Sequence, residues 1–336
     1  MNNESTLLHT GFRDMVLLDP IRQGADNLKI ISGYATNTMA SWHIKQIAES
    51  ENRLSPINII LVVGMCGYDG ISQSVHEGFK ALVARNNTPH QSNFACQYVL
   101  DGIPVHSKLY LWERNGHPFC AFMGSANYTQ SAFSRSRKEL LHECDPLQAL
   151  GYFKELEGVS IRCDHAEVDD KIIIRPFHPV LEAEESSNVS VSGENVQKVK
   201  LSLLKQDGDV GFGSGINWGH RPNGIKREPN QMYIPLPAAI SRSDFFPLEG
   251  NRAGKDNPHF SVLTDDGINL VLRVEQQGNK AITTPLNNSQ IGEYFRNRMN
   301  LPNGVFVTKK MLEDYGRTDV AFIKIDEEQY IMDFSV

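Results

Sequence analysis

The stretch Val105–Asn127, VHSKLYLWERNGHPFCAFMGSAN, gathers residue types that could do chemistry together: an imidazole at His106, an ammonium at Lys108, a hydroxyl at Ser125 and a carboxamide at Asn127. In an extended strand residues i and i+2 share a face, so VHSKLYLW points His106 and Lys108 the same way and Ser107 the other. Asn115-Gly116 between two apolar runs is a strong hairpin signal. If these two residues form the loop, His106 falls opposite Ser125 and Pro104 opposite Asn127, and opposed residues share a face. Four side chains suited to handling an anion then converge on one patch.

Such a patch fits phosphoryl transfer through nitrogen. A neutral imidazole attacks phosphorus, while Lys108 and Asn127 hold the non-bridging oxygens and stabilise the transition-state charge. This chemistry requires neither a metal nor another cofactor. The imidazole must keep one nitrogen free and the other oriented, a task usually given to a carboxylate. Glu139, in the run SRSRKELLHEC, is the first candidate and Glu143 the second. His-x-Lys by itself recurs by chance. His43-Ile44-Lys45 lies in WHIKQIAE, a helical pattern with Trp42, Ile44 and Ile47, no Gly-Ser-x-Asn follows it, and it reads as part of a packed helix.

His106-x-Lys108 followed by Gly124-Ser125-Ala126-Asn127 resembles the signature of the phospholipase D superfamily. The resemblance implies a nucleophilic His106, phosphate-binding Lys108 and Asn127, and a supporting Ser125. The superfamily pattern places an Asp where this chain has Glu113, so that position is left out of the site. In single-copy nucleases of the superfamily a Glu downstream of the Asn orients the nucleophile, which matches Glu139.

The elements that must carry these residues alternate in type. Leu28–Ser32, Ile57–Val63, Phe94–Leu100, Val105–Trp112, Phe119–Met123, Val159–Cys163 and Ile172–Ile174 read as strands. Ile57–Val63 is apolar apart from Asn58, as in a strand covered on both faces. Helical spacing marks Thr38–Ser50, Gly70–Asn86 and Leu147–Leu156. Strand and helix alternation with a closing hairpin gives an α/β sandwich with a mixed sheet, over residues 1–178. The superfamily resemblance implies the same fold.

The chain of 336 residues is long enough for two domains. No apolar run is long enough to span a membrane, and the N-terminus has neither a basic region nor an apolar core, so a cytoplasmic location without membrane partners is expected. Five scattered cysteines read as reduced thiols. His142, Cys144, Cys163 and His165 form no usual zinc-ligand spacing, and no metal site is assigned. The net charge of −7 argues against indiscriminate polyanion binding. From Lys198 onward 17 basic residues balance 17 acidic ones, so the acidic excess lies entirely before that point.

Residues 179–197 lose all periodicity and fill with Glu, Ser and Asn, as a linker does. Beyond it, over 198–336, the short segments LSLL, MYIPL, FSVLT, LVLRVEQ, VFVTK, VAFIKID and QYIMDF read as strands, with one helix at Ser289–Met299. Short strands at regular spacing with turn signals predict a barrel or pseudobarrel. Two segments are poorly explained by folding. INWGHRPNGIKREPN carries Trp218, His220, Arg221, Asn223, Lys226, Arg227 and Asn230; QQGNK carries Gln276, Gln277, Asn279 and Lys280, with Arg296 and Arg298 on the following helix. Arg, Asn and Gln suit base edges, and Lys and further Arg suit phosphates. The alternative is two solvated loops.

GINWGHRPNGIKREPNQMYIPLP, the KAITTP segment and IGEYFRNRM resemble the C-terminal half of NgoFVII-type restriction endonucleases. These join a phospholipase D-like nuclease domain to an all-β-rich DNA-binding pseudobarrel resembling the plant B-three domain. The resemblance implies that two arms of the barrel enter the major groove of double-stranded DNA. It implies a cognate DNA methyltransferase in the same restriction system, and it admits a separate ATP-driven translocase subunit, since the chain itself has no Walker-type loop. With one credible His-x-Lys copy, the second acid or base of the reaction is expected from another chain, in a homodimer with a composite active site. A phospholipase D-like phosphodiesterase acting on lipid headgroups is the rival enzyme. The single motif copy and the absence of an amphipathic docking stretch weigh against it. A DNA-binding regulator with a decayed nuclease site is disfavoured by the intact His106, Lys108, Ser125 and Asn127.

Overall fold

The computed structural model describes residues 7–49, 56–85, 92–100, 102–134, 137–175, 197–221, 226–249 and 257–336, and divides into two units, Met1–Leu181 and Glu182–Val336. The expected linker, 179–197, lies outside the described residues except for Gln197.

The first unit is built on strands β1 (Leu7–Leu8), β2 (Asn27–Ser32), β3 (Asn58–Val63), β4 (Ile71–Ser72), β5 (Asn93–Val99), β6 (Leu109–Arg114), β7 (His117–Gly124), β8 (Leu141–Cys144), β9 (Ser160–Arg162) and β10 (Ile174–Arg175). Among the described residues eight of them form one sheet in the order β1-β8-β7-β6-β2-β3-β5-β9. β2, β3 and β5 are parallel, and every other neighbouring pair is antiparallel, so the sheet is mixed as expected. Register explains the two-sided burial: Leu109, Ile31 and Val62 form one row, and Tyr110, Ile30, Leu61 and Cys96 form the next row, on the opposite face. The first row packs against Ala149, Phe153 and Leu156 of the helix Pro146–Glu157. That helix starts where it does because Asp145 accepts from the Leu147 and Gln148 N–H groups, with Pro146 at its first position. The second face takes the helix Gln73–Ala84, whose Phe79 stacks on Phe94. The helix Asn37–Glu49 meets the same side through His43, which binds the Tyr128 hydroxyl, while the Tyr128 ring lies against Tyr110.

Two local expectations change. The segment expected to be helical from Gly70 opens instead with β4, paired to β10, and its helix begins only at Gln73, capped by Ser72. The hairpin closes at Asn115-Gly116 with both residues at positive φ, and Arg114 faces His117 as expected. A bulge between Trp112 and Glu113 then shifts the register by one, so that Leu109 faces Met123. Pro118, which lacks an N–H, sits at this irregularity, where prolines in strands are tolerated. The ladder ends at Leu109, so His106 is not opposed to Ser125, nor Pro104 to Asn127.

The second unit is made of β11 (Lys198–Ser202), β12 (Ile234–Pro235), β13 (His259–Thr264), β14 (Asn269–Glu275), β15 (Ala281–Thr283), β16 (Asp319–Lys324) and β17 (Gln329–Asp333). Among the described residues these form one sheet in the order β11-β16-β17-β13-β14-β15-β12. Its edge strands β11 and β12 lie against each other, closing a pseudobarrel around Ile234, Phe260, Val262, Leu272, Phe322 and Met332. The helix Gln290–Arg298 lends Ile291, Tyr294 and Phe295 to that core. VFVTK is not a strand. Val307 is held through both its N–H and its C=O by the buried Asn217 side chain, and Thr308 caps a helix, Lys309–Tyr315. No helix among the described residues is long and apolar enough to cross a membrane.

Candidate functional site

The first sheet delivers five chain segments to one edge. The parallel strands β2 and β3 end there, β6 begins there because it is antiparallel to β2, and β7 ends and β8 begins there in turn. Ligands of α/β sheets gather at the C-terminal ends of the parallel strands. Two glycines permit the close crossing of backbones. A Cβ on Gly64 would fall 2.1 Å from the Val105 carbonyl oxygen, and one on Gly124 would fall 2.2 Å from that of Leu140.

At this edge Lys108 is buried and His106 exposed. The Lys108 ammonium lies 2.9 Å from His106 Nδ1, 3.2 Å from Nε2, and donates to the His106 carbonyl at 2.6 Å. An ammonium has donors only, so a ring nitrogen that it meets in a hydrogen bond is unprotonated. Asn127 Oδ1 accepts from the Tyr34 backbone N–H at 3.2 Å, and the turn after β2 also borders the imidazole: a Cβ on Gly33 would lie 3.1 Å from His106 Cδ2 and 3.5 Å from Lys108 Nζ. Ser125 donates to the Glu139 carboxylate and accepts from the Leu140 N–H at 3.1 Å. Burial pushes the Tyr110 phenol well above its ordinary range, with the charges of Tyr128 and Glu139 adding to it. The structure thus brings together His106 with Lys108, and Ser125 with Glu139. Asn127 joins them through the turn at 32–34, which follows β2.

The remaining candidates of this unit fall elsewhere. Glu143 is exposed along β8 opposite Phe122. His43 is fully buried with Nδ1 on the Tyr128 hydroxyl and Nε2 on the Leu17 carbonyl, and burial lowers its pKa to about 4, so it is a packed core histidine. Glu113 is buried at the opposite end of β6, paired with Lys29 and Asn27 of the neighbouring strand. β8, with His142 and Cys144, and β9, which leads into Cys163 and His165, lie at opposite sides of the sheet, too far apart to share one ion. All five cysteines are free thiols.

In the second unit the Arg227 guanidinium lies over the Trp218 ring at 4.2 Å and donates to Gln231 Oε1 at 3.1 Å, and Trp218 stands edge-on to Tyr233. Arg221 and Lys226 are exposed. Desolvation first, and then the charge of Arg221, hold the Arg227 guanidinium below its ordinary pKa, so two cations share one neighbourhood. His220 is half-buried against Phe306. Gln276–Lys280 form the turn from β14 to β15, with positive φ at Gln276, Gly278 and Asn279; Gln277 and Lys280 are exposed and Gln276 is half-buried.

Two family models divide the chain between them: the NgoFVII restriction endonuclease N-terminal PLD domain over residues 10–170, and the NgoFVII C-terminal B3-like DNA-binding domain over residues 191–326. The chain belongs to the NgoFVII restriction endonuclease family. It is an endonuclease of the phospholipase D superfamily, with DNA as its partner. Solved structures similar to it include NucT from Helicobacter pylori (TM-score 0.29, 15% identity, 47% of this chain and 98% of that one). A phospholipase D family member, Nuc from Salmonella typhimurium, is another (TM-score 0.33, 10% identity, 47% and 96%). A polyphosphate kinase from Porphyromonas gingivalis matches over 52% of this chain and 25% of that one (TM-score 0.31, 14% identity). No curated protein sequence matches the chain.

Within the B3-like unit of this NgoFVII family member, four residues expected at DNA are part of the scaffold. Arg296 is fully buried and donates to the carbonyl oxygens of Val305, Gly292, Ile216 and Pro229, at 2.9 to 3.5 Å. It cannot reach a base while it holds both ends of the Trp218 loop. Asn230 is buried and accepts from the Gly304 N–H at 2.7 Å. Arg298 is bound to Asp265 and Asp266 and contacts the Tyr315 hydroxyl. Asn279, half-buried, gives its amide oxygen to Asn257. Hydrophilic type alone misled here, because a loop that must hold an irregular shape uses the same side chains for its own carbonyls and amides. Asn223 lies outside the described residues.

Proposed function

We propose that the protein is a sequence-specific restriction endonuclease that hydrolyses DNA phosphodiesters without metal through a phosphohistidine. The observation that carries this reading is the contact of the buried Lys108 ammonium with the exposed His106 imidazole at an edge shared with Asn127 and the Ser125–Glu139 pair. An incoming phosphate draws Lys108 onto its oxygens and frees the ring nitrogen, whose lone pair forms a bond to phosphorus as the bond to the leaving oxygen breaks. Water then attacks the phosphohistidine, the P–N bond breaks, and the imidazole is restored. Asn127 steadies the phosphate oxygens, and Glu139 with Ser125 holds the geometry. Incubation with plasmid DNA in EDTA tests this. Linear or nicked product supports it, binding without cleavage favours the inactive regulator, and release of headgroup from phosphatidylcholine vesicles without DNA cleavage favours the lipid enzyme.

Leaving-group protonation needs a second acid, and the one other His-x-Lys of the chain is spent, since both ring nitrogens of His43 are bound in the core. The reading therefore includes a homodimer in which two copies of His106 flank one phosphorus. Excess His106→Ala subunits mixed with wild type should then poison activity, and mixed dimers that keep half of it would exclude the composite site. A methyltransferase of the same system and an ATP-driven translocase are the further partners of this reading, and the cytoplasm is its location.

Sequence reading is assigned to Trp218, His220, Arg221, Asn223, Lys226 and Arg227, with Gln276, Gln277 and Lys280 as the second arm. Arg221→Ala and Arg227→Ala are the sharpest probes. A base-contacting arginine loses roughly 1 to 3 kcal/mol of discrimination, whereas a phosphate-contacting one weakens all sequences alike and lowers the salt slope. Gel-shift titration of both variants at several salt concentrations separates the two cases, and unchanged binding by both would remove the assignment.

A further inference from the structure

We propose that Tyr34 is a positioning residue of the active site, holding the Asn127 carboxamide and the His106 imidazole from one turn; this rests on the phosphohistidine reading. Three contacts of this single residue carry the inference. Its backbone N–H donates to Asn127 Oδ1 at 3.2 Å. Its ring stands edge-on to His106, with centroids 5.7 Å apart and planes at 76°. Its hydroxyl donates to Asp69 Oδ2 at 2.5 Å.

A carboxamide has an acceptor end and a donor end, and only the donor end helps a phosphate oxygen. The Tyr34 N–H meets the acceptor end. A flipped amide would set donor against donor at Tyr34, so the turn fixes which end of Asn127 serves an anion. Ser32 ties the same turn to the residue after Asn127: its hydroxyl accepts from the Tyr128 N–H at 2.8 Å and bonds the Tyr34 carbonyl at 2.5 Å.

The imidazole faces a different demand. It has to present one nitrogen in line with phosphorus, yet its side chain is exposed and could rotate. The Tyr34 ring, itself buried, limits that rotation from one side, and the absence of a side chain at Gly33 lets the turn come this close. Asp69 anchors the phenol from the short helix Cys66–Asp69 that follows β3, and Arg175 Nε donates to the Asp69 carbonyl at 3.0 Å. The turn after β2 and the helix after β3 thus meet at one hydroxyl beside the nucleophile.

The test measures single-turnover cleavage of supercoiled plasmid, plasmid binding and thermal midpoint for Tyr34→Ala, Tyr34→Phe, Asp69→Ala and the Tyr34→Phe/Asp69→Ala double variant. Tyr34→Ala should slow cleavage by about a hundredfold, the scale of a misplacement near an ångström, with binding unchanged and with the lowered midpoint that removing a buried ring brings. Tyr34→Phe, which keeps the ring, should recover most of the rate. Asp69→Ala should add nothing to Tyr34→Phe, because its effect passes through the hydroxyl already removed. Wild-type rates for Tyr34→Ala would overturn the proposal, and an undiminished Asp69→Ala effect in the Tyr34→Phe background would remove Asp69 from it. If Tyr34→Ala does not fold, Tyr34→Leu takes its place with the same expected loss. Cleavage by His106→Ala would instead defeat the nucleophile reading; a dead His106→Ala beside full-speed Tyr34 variants defeats this inference alone.

Discussion

His106→Ala should abolish cleavage while leaving DNA binding at its wild-type affinity. Deleting the nucleophile of a covalent mechanism costs on the order of a millionfold, since the remaining groups can only bind and polarise the phosphate. The other His-x-Lys of the chain does not stand in: its His43 is buried with both nitrogens bound. Binding survives because the residues assigned to reading DNA belong to a different unit of the chain. Gel assays of cleavage and gel-shift titrations of the same preparation check both halves, and a variant that still cuts removes His106 from the nucleophile's place.

Lys108→Ala and Asn127→Ala should each slow the chemical step on the order of a hundredfold, the loss typical when one preorganised donor is taken from developing charge. The two effects have different structural backgrounds. Lys108 is buried and braced on the His106 carbonyl, so its ammonium is aimed before substrate arrives. Asn127 has its acceptor end engaged by Tyr34, so loss of the carboxamide removes a donor and leaves the Tyr34 N–H without its partner. Single-turnover rates at saturating DNA isolate the step, and a loss confined to binding would contradict the assigned role.

Much of the candidate site's geometry was legible because its motif is local. His106 and Lys108 are two residues apart, and the strand rule that set them side by side agrees with their 2.9 Å contact. The hairpin loop was legible too, since Asn115 and Gly116 adopt the positive φ that their types favour. What failed was register, because a bulge depends on how Pro118 meets the partner strand and not on the loop. The turn at Ser32–Tyr34 was invisible for another reason. Its tie to Asn127 spans 93 residues and runs through a backbone N–H, which every residue but proline has. In the pseudobarrel the same limit appears in reverse. Arg296 and Arg298 look like DNA ligands in sequence, but tertiary partners far along the chain, the Ile216 and Pro229 carbonyls and Asp265 with Asp266, claim them for the fold.

The central claim is that phosphorus passes through a covalent bond to His106, and stereochemistry reads this most directly. A duplex with a chiral phosphorothioate at the scissile position is cleaved in isotopically labelled water, and the configuration at phosphorus of the product is determined. Each in-line displacement inverts that centre, so attack by the imidazole followed by attack by water predicts net retention. Net inversion would mean that water attacks the DNA directly, and the phosphohistidine account would be wrong.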